Sequence, residues 1–389
     1  MRIVHFSAGR INPFKAKVGS VNVIYWLAYE QARLGHDVKV VVVPAKRDYE
    51  NLVVDEFEIH EYPAASLKGF KLPQSLVEDI SSGELAMDVA HLHGVYVPEM
   101  IAVAKILRKF NIPYVISTHG SLSPYILKKG DVMAKWIFKW LFVHRYLNSA
   151  AFIHLHCEGE KNDAKWYGVK VPTVVGEHGF DWESMPSELN PNWLHEWFPE
   201  TKRKLKFLFL GRLDPWHKGI DILIEGFSKA LRQHRDMVLF LVGPEKKRYR
   251  GVIPKLIQKF GVMDAVITVG PLYDPLDKFS AIASSDVFVL TSRYEGFPLT
   301  LYEAWACGKP VVVTPGTNAA DWVRSNGLGW ICEPNSDAIA KALINIYDNR
   351  RSITDKGAKA REFVKKFTWR RTAEILVVKY REVLNNAGR

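Results

Sequence analysis

Cysteine is nearly absent. Three residues, Cys157, Cys307 and Cys332, stand among 389. Their spacing fits no zinc or iron–sulfur ligand set, and they fit a reducing compartment better than a disulfide framework. No uninterrupted apolar run approaches the roughly 20 residues that a membrane span needs. Met1-Arg2-Ile3-Val4 runs straight into a strand-like segment, with no charged region followed by an apolar one, so no signal peptide is expected. There is no Gly-x4-Gly-Lys-Ser/Thr loop, which argues against a P-loop nucleotidase. There is no Asp-x-Asp triplet, a common device for holding a sugar nucleotide through a metal. Acidic residues are outnumbered, 42 against 53 Lys and Arg, for a net charge of +11. That surplus favours polyanions or an anionic membrane face, but no nucleic-acid-binding motif accompanies it.

What is present is alternation. Short β-branched runs recur: Arg2–Phe6, Val38–Val43, Val89–His93, Tyr114–Thr118, Phe152–Leu155, Lys206–Leu210, Leu239–Val242, Val266–Gly270, Asp286–Leu290 and Lys309–Val313. Helical periods lie between them, such as Val21–Leu34, Ile220–Arg232 and Leu299–Cys307. The pattern predicts buried parallel strands in an α/β protein, and the length predicts two doubly wound domains. A proline- and tryptophan-rich stretch without strict period marks a linker at 186–205, between a domain 1–185 and a domain 206–367.

Chemistry gathers after the strands, where open α/β sheets bind ligands. Glu295 follows Asp286–Leu290, and Gly296-Phe297-Pro298-Leu299 runs from it into a helix start suited to an anion. Glu303 lies inside that helix, about two turns on from Glu295. Two carboxylates so placed can accept hydroxyl protons from a sugar and a ribose. Arg212 and Lys218, six apart at another strand–loop–helix junction, can both reach one diphosphate.

Glu295-Gly-Phe-Pro-Leu-Thr-Leu-Tyr-Glu303-Ala304 resembles the paired-glutamate motif of retaining glycosyltransferases of family 4, and the likeness spans most of the chain. It implies the GT-B fold: two Rossmann-like domains facing across a cleft, the first completed by a C-terminal helix 368–389 that opens at Phe367-Thr368-Trp369. It implies metal-independent transfer, with retention, from a nucleoside diphosphate sugar such as a UDP- or GDP-sugar, and no cofactor. Gly211-Arg212…Lys218-Gly219 is similar to the family's diphosphate element. Gly19, with Val18 where another glycine usually stands, is similar to its glycine-rich first helix start. Thr118-His119-Gly120 resembles its His-Gly element, which assigns His119 a sugar hydroxyl. Glu295 then holds the transferred sugar and Glu303 the ribose. The turns at Gly243 and at Pro271-Leu272-Tyr273 flank the base. Glu177-His178-Gly179-Phe180-Asp181 is similar to the turn at the domain boundary.

The segment 128–147 interleaves Lys128, Lys129, Lys135, Lys139 and Arg145 with Trp136, Phe138, Trp140, Phe142 and Tyr146. Such a helix either lies on an anionic membrane or packs beneath the sheet with its lysines solvated. His91, His93, His154 and His156 alternate along two strands; with no acidic or cysteine partner at ligand spacing, a structural role outweighs a metal site. The expected partners are a nucleotide sugar and a glycan or polyprenyl-linked acceptor in surface polysaccharide or glycoconjugate synthesis, in the cytoplasm or on the inner face of the plasma membrane. Two alternatives stand beside this: a sugar-nucleotide epimerase on the same fold, and a non-enzymatic basic protein that binds a membrane or polyanion.

Overall fold

A computed structural model describes residues 1–8, 19–45, 56–63, 70–127 and 132–387. The chain divides into two compact units, Met1–Gly179 with Thr368–Arg389, and Phe180–Phe367. Each is built on one parallel sheet with helices between successive strands, so the fold is a two-domain α/β fold of the GT-B class.

The first unit has seven strands: β1 (Arg2–Ser7), β2 (Asp37–Ala45), β3 (Glu58–Pro63), β4 (Val89–His93), β5 (Tyr114–Ser117), β6 (Phe152–Leu155) and β7 (Thr173–Val175), in the order β3-β2-β1-β4-β5-β6-β7. One sheet face carries the apolar core through Val4, Phe6, Ala90, Leu92, Ile116, Ile153 and Leu155. Strand alternation sends His5, His91, His93, Ser117 and His154 to the other face, and all five are buried. β3 and β7 carry no strand signal in the sequence. The first is polar (Glu58-Ile-His-Glu-Tyr-Pro) and the second spans three residues, so neither shows the apolar run that marks a central strand.

The second unit has six strands: β8 (Leu205–Leu210), β9 (Met237–Val242), β10 (Val266–Val269), β11 (Val287–Leu290), β12 (Val311–Val313) and β13 (Gly329–Ile331), in the order β10-β9-β8-β11-β12-β13. The stretch 186–205, expected as a linker, belongs to this unit. Trp193 and Leu194 are buried there, Trp193 Nε1 donates to Asp277 at 3.0 Å, and Leu194 N donates to Ser284 Oγ at 3.1 Å. Its aperiodic sequence hid that role because the segment is anchored by a few large side chains rather than by an amphipathic stripe. The closing helix Trp369–Ala387 opens on Thr368, whose Oγ1 accepts from Arg371 N at 3.2 Å.

In each sheet the strand order reverses once, between β1 and β4 in the first and between β8 and β11 in the second. Loops leaving the two strands at such a point diverge and open a crevice for a ligand.

Candidate functional site

At the reversal in the second sheet, the loop 211–219 leaves β8 beside the loop 291–298 that leaves β11. The first loop folds around Asp214, which is fully buried and accepts from His217 N at 3.0 Å. Gly219 then starts the helix Ile220–Leu231 with φ +65°, and a Cβ there would lie 2.0 Å from the Thr291 carbonyl oxygen. Only glycine lets the two loops approach so closely. Arg293 fastens them from the other side, with Nη1 and Nη2 on Asp221 at 2.8 and 2.9 Å and Arg293 N on His217 O at 3.0 Å.

This frame brings Lys218 and Glu295 together. Lys218 Nζ meets Glu295 Oε1 at 2.5 Å, and Ser292 Oγ donates to the same oxygen at 2.7 Å. The two ionic side chains are 13 and 12% exposed. Burial alone would push the Glu295 carboxyl up, but Lys218, with help from His217 and Ser292, holds it below its usual range. Asn318 Nδ2 donates to the Glu295 and Gly296 carbonyls at 2.9 Å each and fixes the loop. His217 stacks on Tyr294 with centroids 4.1 Å apart and donates from Nε2 to the Tyr294 carbonyl at 2.9 Å. Its Nδ1 is then an acceptor, and Arg212 Nη2 lies 3.4 Å away. Burial lowers the His217 pKa. Arg212 itself is exposed.

The next loop opens the helix Leu299–Ala306. Phe297 and Pro298 were expected at the donor diphosphate, but their side chains are buried. Phe297 packs on Tyr302 and Trp322 at 5.0 Å each, so only the backbone of this loop can meet an anion. Leu299 is half-buried at the helix start, where first-turn N–H groups lack intrahelical acceptors. Glu303 pairs with Lys278 at 2.9 Å, and its other oxygen is buried without a partner. Lys278 comes from the helix Pro275–Ala283, capped by Asp274 directly after Pro271-Leu272-Tyr273. The helix that follows the expected base-flanking turn therefore carries the countercharge of the expected ribose carboxylate. Gly243, in the other such turn, lies against Gly211, whose carbonyl oxygen would be 2.0 Å from a Cβ on Gly243.

Sequence reasoning missed Lys278, Asn318, Ser292 and His217. His217 sat within the span of the diphosphate element, and Ser292 three residues before the paired-glutamate motif. Nothing local marks Lys278 or Asn318, whose roles come from helix and loop packing.

In the first unit, Gly19 begins the helix Gly19–Arg33, and the loop 9–18 before it lies outside the described residues. His119 follows β5 with φ +48° and stacks between His93 (5.3 Å) and His156 (4.9 Å). Glu160 holds its loop, accepting from Thr118 Oγ1 at 3.1 Å, Gly120 N at 2.8 Å and His156 N at 2.5 Å. Burial raises Glu160 to about 6, against those hydrogen bonds. The alternating histidines join His5 and His119 in one buried seam. Donor atoms of His5, His91 and His93 lie within 4.8 Å of one another, close enough for a metal ion. Each of their six nitrogens, however, already has a protein hydrogen-bond partner.

The segment Val132–Asn148 is helical, with a π-turn at Lys139–Val143. Lys128 and Lys129 lie outside the described residues, as does the side chain of Lys135. Lys139, expected to face a membrane or acceptor, is instead buried, with Nζ 4.1 Å from the Tyr167 ring centroid and 4.7 Å from that of Trp136. The π-turn adds a residue to the helical period and rotates it inward. Met133, Trp136, Ile137, Trp140 and Leu141 are exposed, whereas Val143, Tyr146 and Leu147 are core. No helix among the described residues is long and apolar enough to cross a membrane.

Residues 194–366 match the family model "Glycosyl transferases group 1", and residues 18–176 match "Glycosyl transferase 4-like domain". The chain is 23% identical over 332 residues to an uncharacterised glycosyltransferase of Methanocaldococcus jannaschii, covering 83% of each. It is 29% identical over 178 residues to a probable sucrose-phosphate synthase of Thermosipho melanesiensis, a match that spans 44% of this chain and 40% of that protein. Among solved structures, the Anabaena HepE protein in complex with UDP and glucose superposes with a TM-score of 0.73 at 18% identity, over 99% of each chain.

Proposed function

This chain belongs to the group 1 glycosyltransferases, and from that premise we propose that it moves a sugar, with retention and without a metal, from a nucleoside diphosphate donor to a hydroxyl acceptor. The observation that carries the reading is the meeting of Arg212, Lys218, Glu295 and the start of the helix Leu299–Ala306 at the strand reversal between β8 and β11. As the glycosidic bond breaks, the leaving diphosphate gains negative charge. Arg212, Lys218 and the backbone N–H groups after Gly296 supply preorganised positive charge for it, and such preorganised charge usually accelerates a reaction more than any other single effect. Glu295 is held as a carboxylate by Lys218 and Ser292, so it serves as a hydrogen-bond acceptor for sugar hydroxyls and not as a proton donor. Glu303, with one oxygen on Lys278 and one unused, accepts from the ribose hydroxyls. The turns at Gly243 and Leu272-Tyr273 flank the base. His119 accepts from a hydroxyl of the transferred sugar. Retention follows from attack on the face that the diphosphate leaves, with a phosphate oxygen taking the acceptor's proton.

Thermal stabilisation by UDP, GDP, ADP and CMP tests this. One diphosphate should raise the melting temperature, and the rise should survive EDTA. No shift with any of the four, together with no release of nucleotide from UDP-glucose or GDP-mannose, would sink the assignment.

The acceptor reading rests on the stripe Met133, Trp136/Ile137, Trp140/Leu141, whose spacing of three and four residues puts it on one helix face. A lipid-linked glycan presented at an anionic membrane fits that face. Flotation with vesicles containing phosphatidylglycerol should carry the protein upward. Trp140→Glu should abolish flotation and leave the nucleotide-induced thermal shift intact.

A further inference from the structure

The buried seam of the first unit holds two directed hydrogen-bond chains, and the direction of each can be worked out from an oxygen at its end that can only accept. The Gly176 carbonyl can only accept, so His154 donates to it from Nε2 at 3.0 Å. A neutral His154 then has a bare Nδ1, which takes the Ser117 hydroxyl proton at 2.7 Å. Ser117 Oγ therefore accepts from His91 Nε2 at 2.8 Å, and His91 Nδ1 takes the Tyr380 hydroxyl proton at 2.6 Å. With its proton committed, the Tyr380 oxygen can only accept. Gln31 sets the direction of a second chain: its Oε1 lies 2.7 Å from His5 Nε2 and, as an amide oxygen, can only accept. The rest follows: His5 Nε2 carries a hydrogen, His5 Nδ1 accepts from His93 Nε2 at 3.0 Å, and His93 Nδ1 accepts from His119 Nε2 at 3.1 Å. All the linked histidines are neutral, because burial lowers each of them; His5 and His154 fall to about 4 and His119 to about 3.

We propose that Gln31, His5 and His93 are positioning residues that fix His119 as the Nε2–H tautomer, leaving its Nδ1 as an obligate hydrogen-bond acceptor that selects a ligand bearing a hydroxyl at that point. His119 Nδ1 has no protein partner among the described residues. The selectivity rests on the proposed function, in which His119 meets the transferred sugar; the tautomer does not. A site whose only free group is an acceptor rejects a deoxy sugar by leaving that lone pair unpaired. The origin of this preference lies in a buried amide on the helix Gly19–Arg33.

The test is 15N spectroscopy of the full-length chain labelled at histidine, at pH 7.5, with the His119 signals identified by their loss in His119→Phe. The wild type should show His119, His93 and His5 protonated at Nε2 and bare at Nδ1. Gln31→Leu should reverse all three, because a buried His5 Nε2–H without an acceptor costs more than a bare nitrogen. Gln31→Glu, which keeps an acceptor, should retain the original tautomers. An Nδ1–H tautomer at His119 in the wild type, or signals unmoved in Gln31→Leu, would overturn the proposal. A stoichiometric metal ion bound through His5, His91 and His93, found by elemental analysis, would overturn it too. On UDP-glucose or GDP-mannose, Gln31→Leu should lower kcat roughly tenfold, about one hydrogen bond, with KM little changed and Gln31→Glu near wild type. Reversed tautomers with unchanged turnover would instead refute the contact between His119 and sugar, leaving the chain itself intact.

Discussion

Acidification should unfold the first unit well above the pH at which carboxylates titrate. His5, His91, His93, His154, His156 and His178 are each at most 5% exposed, and burial holds all six below the ordinary value of 6.5. A group whose folded pKa is lowered adds stability that is complete above its unfolded pKa and is lost as pH falls below it. Here the loss begins near 6.5 and continues down to about 4, where His5 and His154 titrate in the fold. At pH 5.5 each unfolded imidazole binds most of a proton that its folded counterpart refuses, a cost of about 1.4 kcal/mol apiece and roughly 8 kcal/mol for the group. Glu160 opposes this. Its folded pKa is raised to about 6, so its contribution grows as pH falls, and it returns about 0.8 kcal/mol at pH 5.5. The net, about 7 kcal/mol, is comparable with the whole stability of an ordinary domain. Scanning calorimetry of the full chain between pH 7.5 and 5.5 should show one transition falling by roughly 20 °C. A loss below about 2 kcal/mol at pH 5.5 would mean that the imidazoles are hydrated in the fold and that the seam is not dry.

Lys218→Ala should cost about 3 kcal/mol by leaving Glu295 without its main countercharge, and Lys218→Met with Glu295→Gln should recover most of that; strictly additive unfolding free energies would refute the pairing. Glu295→Ala frees Lys218, so calorimetric affinity for a nucleoside diphosphate should hold or rise while turnover falls. Arg212→Ala, at an exposed position, should weaken nucleotide binding and leave the melting temperature within about a degree. Gly243→Ala should lower stability by about 2 kcal/mol or more in denaturant titration, since its Cβ would overlap the Gly211 carbonyl.

Fold class was legible because central parallel strands are continuous apolar runs, and the strands named from β-branched residues formed with ends shifted by a residue or two. Polar β3 and three-residue β7 and β13 carry no such run. The strand, loop and helix around Glu295 formed as read, because a strand, a glycine turn and a helix start are local facts. That Glu295 meets Lys218, 77 residues earlier, is not local; it follows from β8 and β11 being neighbours. The same limit explains Lys139. In the sequence it reads like the other lysines of the segment, yet it opens a π-turn and lies against Trp136, Trp166 and Tyr167.

The two sheets use one topology for opposite electrostatics, and packing accounts for the difference. At the β8/β11 reversal the polar groups are ionic and partly open, so charge is screened and available to an anionic ligand. At the β1/β4 reversal the helix Gly19–Arg33 and the closing helix supply Gln31 and Tyr380 to the face that carries His5 and His91. Charge sealed there would bear a desolvation penalty of several kcal/mol per ion. Imidazole meets that constraint as few side chains can: neutral, it both donates and accepts, so a row of them can satisfy itself under a helix without any ion. The alternation His91-Leu92-His93, joined by His154, is therefore the sequence signature of a dry polar seam, one face hydrogen-bonded and the other apolar; His156 extends the row by ring stacking, with both ring nitrogens buried and without a partner. A metal centre built from His5, His91 and His93 would need some of their six paired nitrogens bare. Direction in that seam is inherited from two oxygens that can never donate, the Gly176 carbonyl beside His154 and Gln31 Oε1 beside His5.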